Sequence, residues 1–237
     1  DKALVAINAA IRLEPNNPNL YNQKYLVLSN LKRYKEAAAA INKAIELSPR
    51  AAFYNNRGNV RDDLGDKQGA IDDYTQAIKF NPNDANAYYG RGIVRNELGD
   101  KQGAIDDYTQ AIKINPNYAN AYYNRGIVRD DLGDKQGAID DYTQAIKINP
   151  NLALAYSNRG IVYHQQGNYI AAISEYNQAI AKDANSLAAV NNIGLIKYEQ
   201  GDKETAIKQW QKAMKIDNKS AEPILALAVA LYTKGEQ

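Results

Sequence analysis

The sequence predicts an all-α protein, a right-handed superhelical solenoid built from antiparallel helix pairs. Three observations predict this fold. The chain repeats itself with a fixed period, small and bulky residues recur at helical spacing within each period, and glycine, aspartate and proline recur where helices would begin and end. A period of roughly 20–50 residues is typical of stacked structural repeats.

The repeat is visible by direct comparison of two neighbouring segments. Residues 85–118 recur at 119–152 with four substitutions, which sets the period at 34 residues. A single helix pair cannot bury its apolar face alone, so successive repeats are expected to stack into one array. The predicted units are a half repeat at 1–17 (a second helix), full repeats at 18–50, 51–84, 85–118, 119–152, 153–186 and 187–220, and a half repeat at 221–237 (a first helix).

Positions within a repeat are numbered 1 to 34 from Ala85, and the first helix occupies the early positions. Tyr88 at position 4, Gly92 at position 8 and Arg95 at position 11 have the four-then-three spacing of one helical face. Gly99 at position 15 suits the left-handed conformation that ends many helices. These residue types recur in most repeats, so each repeat is predicted to begin with a helix that stops at position 15.

The second helix follows at once. Asp100 at position 16 is a typical N-cap, and Ala104, Tyr108 and Ala111 at positions 20, 24 and 27 repeat the four-then-three spacing. Glycine at position 8 and alanine at positions 20 and 27 let two helices approach closely, while the ring at position 24 fills the remaining space. Pro116 at position 32 is expected to stop the helix.

Composition excludes several function classes. The chain has 29 basic and 27 acidic residues, a net charge of +2, one histidine and no cysteine. A near-neutral chain is a poor candidate for nucleic-acid binding, and the scarcity of histidine and cysteine argues against a metal site, a cofactor or an enzyme. No apolar run reaches the ~20 residues of a membrane span. We expect a cytoplasmic protein by default, with both ends of the chain truncated.

The spacing of these glycines, alanines, tyrosines and prolines resembles that of tetratricopeptide repeat (TPR) proteins, especially bacterial and cyanobacterial ones, over the whole chain. The resemblance implies a non-catalytic module for protein–protein interaction, such as an adaptor or scaffold. It also implies that first helices line a concave groove, with positions 2, 5, 6, 9, 12 and 13 contacting an extended or helical peptide of a partner.

The positions that the resemblance assigns to the groove carry amides, tyrosines and isoleucines. An amide offers a donor and an acceptor side by side, so it can pair with a peptide backbone. The alternative is that these asparagines bond locally and the tyrosines pack between repeats. The predicted groove residues are Asn56, Asn124, Asn158 and Asn192 at position 6, Tyr89 and Tyr123 at position 5, and Ile93, Ile127 and Ile161 at position 9.

Acidic residues follow at positions 12 and 13, where the resemblance places the rim of the groove. A rim of this charge favours a basic partner segment over an acidic one. The alternative is that the charges simply keep this face solvated. The predicted acidic rim consists of Asp62, Asp63, Glu97, Asp130 and Asp131.

Two arginine–acid pairs are predicted within each central hairpin. Four repeats with arginine at position 7, such as Arg91, carry an acid at position 23, such as Asp107, and the two repeats that lack one lack the other. Arginine at position 11, such as Arg95, coincides with aspartate at position 22, such as Asp106, so a second pair is proposed. Both pairs are interpreted as structural.

The last predicted helix is apolar around most of its circumference. The terminal helix of a repeat array normally has a polar outer face, so this surface is expected to contact a partner or another copy of the chain. The expected residues are Ile224, Leu225, Leu227 and Leu231. The second functional hypothesis is therefore a scaffold or spacer that self-associates through its open ends, giving a homo-oligomer.

Overall fold

The computed structural model describes residues 2–235, with side chains described through residue 231. Within this range the chain is helical apart from short turns, and it contains no strand. The all-α fold of successive helix pairs is therefore confirmed. The helices are α1 Lys2–Leu13, α2 Pro18–Asn30, α3 Tyr34–Leu47, α4 Ala51–Asp63, α5 Lys67–Phe80, α6 Ala85–Glu97, α7 Lys101–Ile114, α8 Ala119–Asp131, α9 Lys135–Ile148, α10 Ala153–Gln165, α11 Tyr169–Lys182, α12 Leu187–Glu199, α13 Lys203–Ile216 and α14 Ala221–Gly235.

The helices fall into two compact units, Asp1–Ala121 and Tyr122–Gln237. In the first unit, α2 packs with α3, α4 with α5, and α6 with α7. In the second unit, α10 packs with α11 and α12 with α13, while α14 packs on α13. Each predicted full repeat between residues 18 and 220 therefore begins with one helix and ends with another, as the period requires.

The turn between the two helices of a repeat forms as the glycine and aspartate pattern predicts. Gly99 has a φ of +85°, in the left-handed region that only glycine adopts without strain. The side chain of Asp100 then accepts a hydrogen bond of 3.0 Å from the backbone N–H of Gly103, which caps the second helix. The same pair of devices recurs at positions 15 and 16 of the repeats that begin at 51, 119, 153 and 187.

Proline is not required to end the second helix. Helices α11 and α13 end at the same position as their neighbours, although Ala184 and Asn218 stand where other repeats have proline. From α5 onward, the second helices share an asparagine or aspartate at position 31, whose side chain accepts from the backbone N–H two residues later, as Asn115 does from Asn117 and Asp217 from Lys219. This side-chain turn competes with helix continuation wherever it occurs.

In the hairpins that begin at 51, 85, 119, 153 and 187, the core forms where a position-24 ring meets a position-8 glycine. Tyr142 is 1% exposed, and a Cβ atom at Gly126 would lie 2.8 Å from its Cε1. The same close approach joins Tyr108 to Gly92, and Trp210 to Gly194. The ring thus occupies the space that the missing side chain leaves, as predicted.

The buried face of the first helix is rotated from the predicted one. Positions 3 and 10 are fully buried, as at Ala87 and Val94, whereas Arg95 at position 11 is partly exposed. Tyr88 at position 4 is half-buried beneath the guanidinium of Arg91, 5.6 Å from the ring centroid. The arginine at position 7 therefore covers the ring as well as pairing with an acid.

The first predicted ion pair is confirmed and the second is wrong. Arg91 donates through Nε and Nη2 to the two carboxylate oxygens of Asp107, at 3.0 and 2.7 Å. Arg95 does not pair with Asp106, because its Nη1 donates to the same Asp107 at 2.9 Å. Asp106 instead accepts from Gln102. Two arginines thus share one acid that is 3% exposed, and the repeats beginning at 51 and 119 have the same arrangement.

Candidate functional site

Three clefts open at equivalent junctions between consecutive repeats. The first cleft lies in the unit formed by Asp1–Ala121 and has a volume of about 410 Å³. It lies between α4, α5 and α6 and involves two of the predicted groove residues, Tyr89 and Ile93. Its lining consists of Asn55, Asn59, Asp62, Asp63, Tyr74, Asn86, Tyr89, Gly90, Ile93 and Tyr118.

The second and third clefts lie within the unit formed by Tyr122–Gln237. The second has a volume of about 180 Å³ and is lined by Ile127, Asp130, Asp131, Tyr142, Asn158 and Ile161. The third has a volume of about 550 Å³ and is mostly apolar, with a lining of Asn191, Asn192, Leu195, Tyr198, Trp210, Glu222, Leu225, Ala226 and Val229. Each cleft uses the position-24 ring of one repeat and position 6 of the next.

The two larger clefts have a small residue at position 6 of the second repeat. Gly90 and Ala226 stand there in the two large clefts, and Asn158 stands there in the small one. Sequence reasoning treats Gly90 as an interruption of the row of amides. The structure instead places Gly90 in the lining of a cleft of about 410 Å³.

The asparagines at position 6 have partners within the chain. Asn56 donates to Oδ1 of Asn22 at 2.8 Å, and Asn158 donates to the hydroxyl of Tyr123 at 3.2 Å. Asn192 lies beside the hydroxyl of Tyr176, and Asn124 is half-buried in α8. At least two of the four predicted groove amides thus use their donors to join one first helix to the next.

The acidic rim is partly neutralised by a lysine at position 17 that sequence reasoning missed. Lys67 forms ion pairs with Asp62, at 2.6 Å, and with Glu97, and Lys135 pairs with Asp130 at 2.6 Å. The sequence contains this lysine in most repeats. Its ion pair with the rim could be predicted only from the geometry of the turn, which brings the side chain at position 17 next to the one at position 12. Asp63 and Asp131 at position 13 are exposed.

Buried tyrosine hydroxyls line the first two clefts. Burial, aided by nearby acids such as Asp62, raises the pKa of Tyr74 far above its usual value, and burial with Asp130 does the same to the pKa of Tyr142. Burial also raises the pKa of Tyr118 to about 12. These phenols therefore stay neutral at physiological pH and keep a proton to donate.

Three of the four residues predicted for self-association are exposed. Ile224, Leu225 and Leu231 are 40%, 67% and 51% exposed on α14. Leu227 is an exception, because it packs inward against the cluster that contains Trp210. The sequence could not separate these residues, since α14 is apolar on nearly every side.

Neither a metal-binding cluster nor a membrane-spanning helix is found among the described residues. They contain no group of three or more His, Cys, Asp or Glu side chains arranged to hold a metal ion. His164 is placed against Tyr169 and beside Glu199, whose Oε2 lies 2.9 Å from its Nε2. None of the helices between residues 2 and 235 is long and apolar enough to cross a membrane.

The repeated helix hairpins define a helical-repeat protein. Models of the TPR family match nearly the whole chain, and the chain belongs to that family. The model described as a TPR repeat matches residues 58–99, 94–133, 128–167, 162–201 and 194–235, and the model described as a tetratricopeptide repeat matches residues 19–50.

Relatives and solved structures agree with this assignment. The chain is 32% identical, over 37% of its length, to a TPR repeat-containing protein of Methanocaldococcus jannaschii, and it spans 15% of that protein. A structure of MamA is 30% identical, with a TM-score of 0.65 over 68% of this chain and 95% of that one. A chain in the APC/C Cut9–Hcn1 structure shares the fold at 19% identity, with a TM-score of 0.77 over 98% of this chain and 46% of that one.

Proposed function

We propose that this chain is a non-catalytic module that binds an extended or helical peptide segment of a partner protein in the junction clefts. The observation that carries the proposal is the recurrence of the cleft at one register. Tyr74, Tyr142 and Trp210 each form the wall of one cleft, and position 6 of the following repeat forms part of the lining each time. As members of the TPR family, such repeats serve in general as protein-interaction modules, which supports this use of the clefts.

The contacts in the clefts favour recognition through side chains over recognition through the peptide backbone. Four amides at about 0.5–1.5 kcal/mol each would supply roughly 2–6 kcal/mol, below the ~8 kcal/mol of micromolar binding. Asn56 and Asn158 already donate within the chain, which lowers that contribution further. Apolar walls such as Ile93 and Ile127 must then supply much of the affinity by burying partner side chains.

Positive charge placed on the cleft walls should weaken binding. We expect Ile93→Lys combined with Ile127→Lys to weaken peptide binding at least tenfold, because each ammonium would have to be desolvated against the ligand and would repel a basic one. The ligands would be peptides selected from a random display library on the full chain, and affinity would be measured by fluorescence anisotropy.

A matched control places the same charges elsewhere. Gln76 and Gln144 are exposed on the second helices α5 and α9, so Gln76→Lys combined with Gln144→Lys should leave affinity unchanged. Circular dichroism would check that both double variants remain folded. Equal peptide affinity of the wild type and the cleft variant would show that the clefts are not the binding site.

The second candidate function is self-association through α14, favoured by the exposed apolar residues of that helix. Under this hypothesis the mass in sedimentation equilibrium rises with concentration, and Leu231→Lys abolishes the rise. Leu154→Lys, at a leucine 58% exposed on α10, is the matched control and should leave the rise intact. A wild-type mass that stays at 26.3 kDa at all concentrations would contradict self-association.

A further inference from the structure

The first cleft is distinguished by what stands next to Gly90. A Cβ atom at this position would lie 2.8 Å from Cε1 and Cζ of Tyr74 and 3.1 Å from its hydroxyl oxygen. The ring of Tyr74 thus lies in the space that the Cβ atom of an asparagine would need. The cleft of about 410 Å³ is more than twice the volume of the second cleft, where Asn158 fills the equivalent position.

The wall of the first cleft is rich in hydrogen-bond acceptors. Two tyrosine hydroxyls that reach it are already donating, from Tyr74 to Oδ1 of Asn59 at 2.8 Å and from Tyr118 to Oδ1 of Asn86 at 3.0 Å. Each of these amide and phenol oxygens has a lone pair left to accept from a ligand, so this wall favours a ligand that brings donors.

The charge of the first cleft is negative and only partly balanced. Lys67 neutralises Asp62 and also pairs with Glu97. Within residues 2–235, Asp63 makes neither a hydrogen bond nor an ion pair through its side chain. Burial and the neighbouring Asp62 raise the pKa of Asp63, with Lys67 offsetting part of the effect. A bound cation would supply the positive charge that this carboxylate lacks.

Aromatic faces line the same cleft. The rings of Tyr89 and Tyr118 lie with centroids 4.8 Å apart at an angle of 36°. A guanidinium is planar, stacks on tyrosine and carries five donors, whereas an ammonium is a compact, strongly hydrated charge. The combination of ring faces, acceptors and a carboxylate therefore matches a guanidinium better than an ammonium.

We propose that the first cleft selects an arginine side chain of the bound peptide, with Gly90 as the residue that makes room for it. The guanidinium would pair with Asp63, donate to the acceptor wall and lie against Tyr89. This inference rests on the proposed function, because it names the residue that a peptide must present to one of the clefts. The second cleft, narrowed by Asn158, would not share the preference.

The test uses a random twelve-residue peptide display library on the full-length chain, followed by synthetic versions of the selected peptides. We expect an arginine at one fixed position. Its replacement by citrulline, which has the same shape without the charge, should weaken binding by about ten- to a hundredfold, the range expected for hydrogen bonds to a charged group. Replacement by lysine should weaken binding about tenfold or more, because planarity and the fork of donors are lost.

Variants locate the effect in the first cleft. Gly90→Asn copies the residue found at Asn158, and Asp63→Asn removes the charge while keeping the shape. Asp63→Asn should reduce affinity for the arginine peptide to that of the citrulline peptide and leave affinity for the citrulline peptide nearly unchanged. Gly90→Asn should weaken binding of both peptides, because it narrows the cleft. Because Asp63 is exposed, Asp63→Asn should not disturb the packing of the protein. It therefore tests the proposal even if Gly90→Asn disturbs the packing around Tyr74.

The outcomes separate the two proposals. Selected peptides without a fixed arginine, or with equal affinity for arginine, citrulline and lysine versions, would overturn the arginine inference and leave peptide binding intact. Failure to select any peptide would overturn the proposed function itself.

Discussion

Asp107→Ala is expected to destabilise the protein by about 3–5 kcal/mol, because it leaves two guanidinium groups without their shared carboxylate. Asp107 is 3% exposed, and Arg91 and Arg95 are 13% and 27% exposed, so water can reach the arginines only in part. Urea unfolding followed by circular dichroism would measure the loss.

The control for Asp107 is its neighbour in the sequence. Asp106 is exposed and accepts a hydrogen bond from Gln102, so Asp106→Ala should change the free energy of unfolding by about 0.5 kcal/mol or less. Similar losses of unfolding free energy for the two variants would show that the shared carboxylate of Asp107 stabilises the protein no more than the exposed carboxylate of Asp106 does. Because the repeats beginning at 51 and 119 have the same triad, Asp73→Ala and Asp141→Ala should behave like Asp107→Ala.

This triad shows what the sequence could and could not predict. The coincidence of position 7 with position 23 identifies the pair correctly, since two residues that are present or absent together can be in contact. The same reasoning fails for position 11. The near-identical repeats carry an acid at both position 22 and position 23, so the pattern does not show which of the two pairs with the arginine at position 11. Only the rotation of α7 decides that Asp107 points into the hairpin and that Asp106 points to solvent.

The fold was predictable because each helix carries its own local signals. Glycine at position 15 and the N-cap at position 16 act within a few residues, and a period of 34 residues repeats the evidence. The proline pattern predicts the helix end at Pro116, whereas the side-chain turn of Asn115 at position 31 also occurs in repeats that lack the proline. Both residues lie in the same turn, so the boundary was right although the reason was incomplete.

The site was harder to predict because it depends on which side chains meet across repeats. The sequence predicts that Asn158 offers its amide to a peptide, yet the side chain donates to Tyr123, 35 residues earlier. Gly90 interrupts the row of amides at position 6, yet it lines a large cleft. Neither fact follows from helical periodicity, because both depend on how one first helix packs beside the next.

Tyr142→Ala is expected to cost about 3–5 kcal/mol, the range found when a large buried side chain is truncated. The ring is 1% exposed and packs among Ala138, Ile139 and Val162. Tyr142→Phe keeps the ring and removes only the hydroxyl at the second cleft, so it should cost no more than about 1.5 kcal/mol. Equal losses for Ala and Phe would place the stabilisation in the hydroxyl, contrary to this account.

The pairing of this ring with glycine gives a sharper test through Gly126→Ala. In the wild type the new Cβ would lie 2.8 Å from Cε1 of Tyr142 and 3.3 Å from Cβ of Asp141, and overpacking of this kind costs about 1–3 kcal/mol. In the Tyr142→Ala background the ring is absent, and alanine favours a helix over glycine by about 1 kcal/mol. Gly126→Ala should therefore change sign, from destabilising to stabilising, in a double-mutant cycle followed by urea unfolding. A substitution effect of the same sign in both backgrounds would mean that the glycine is required by the backbone of α8 and not by the ring packed against it.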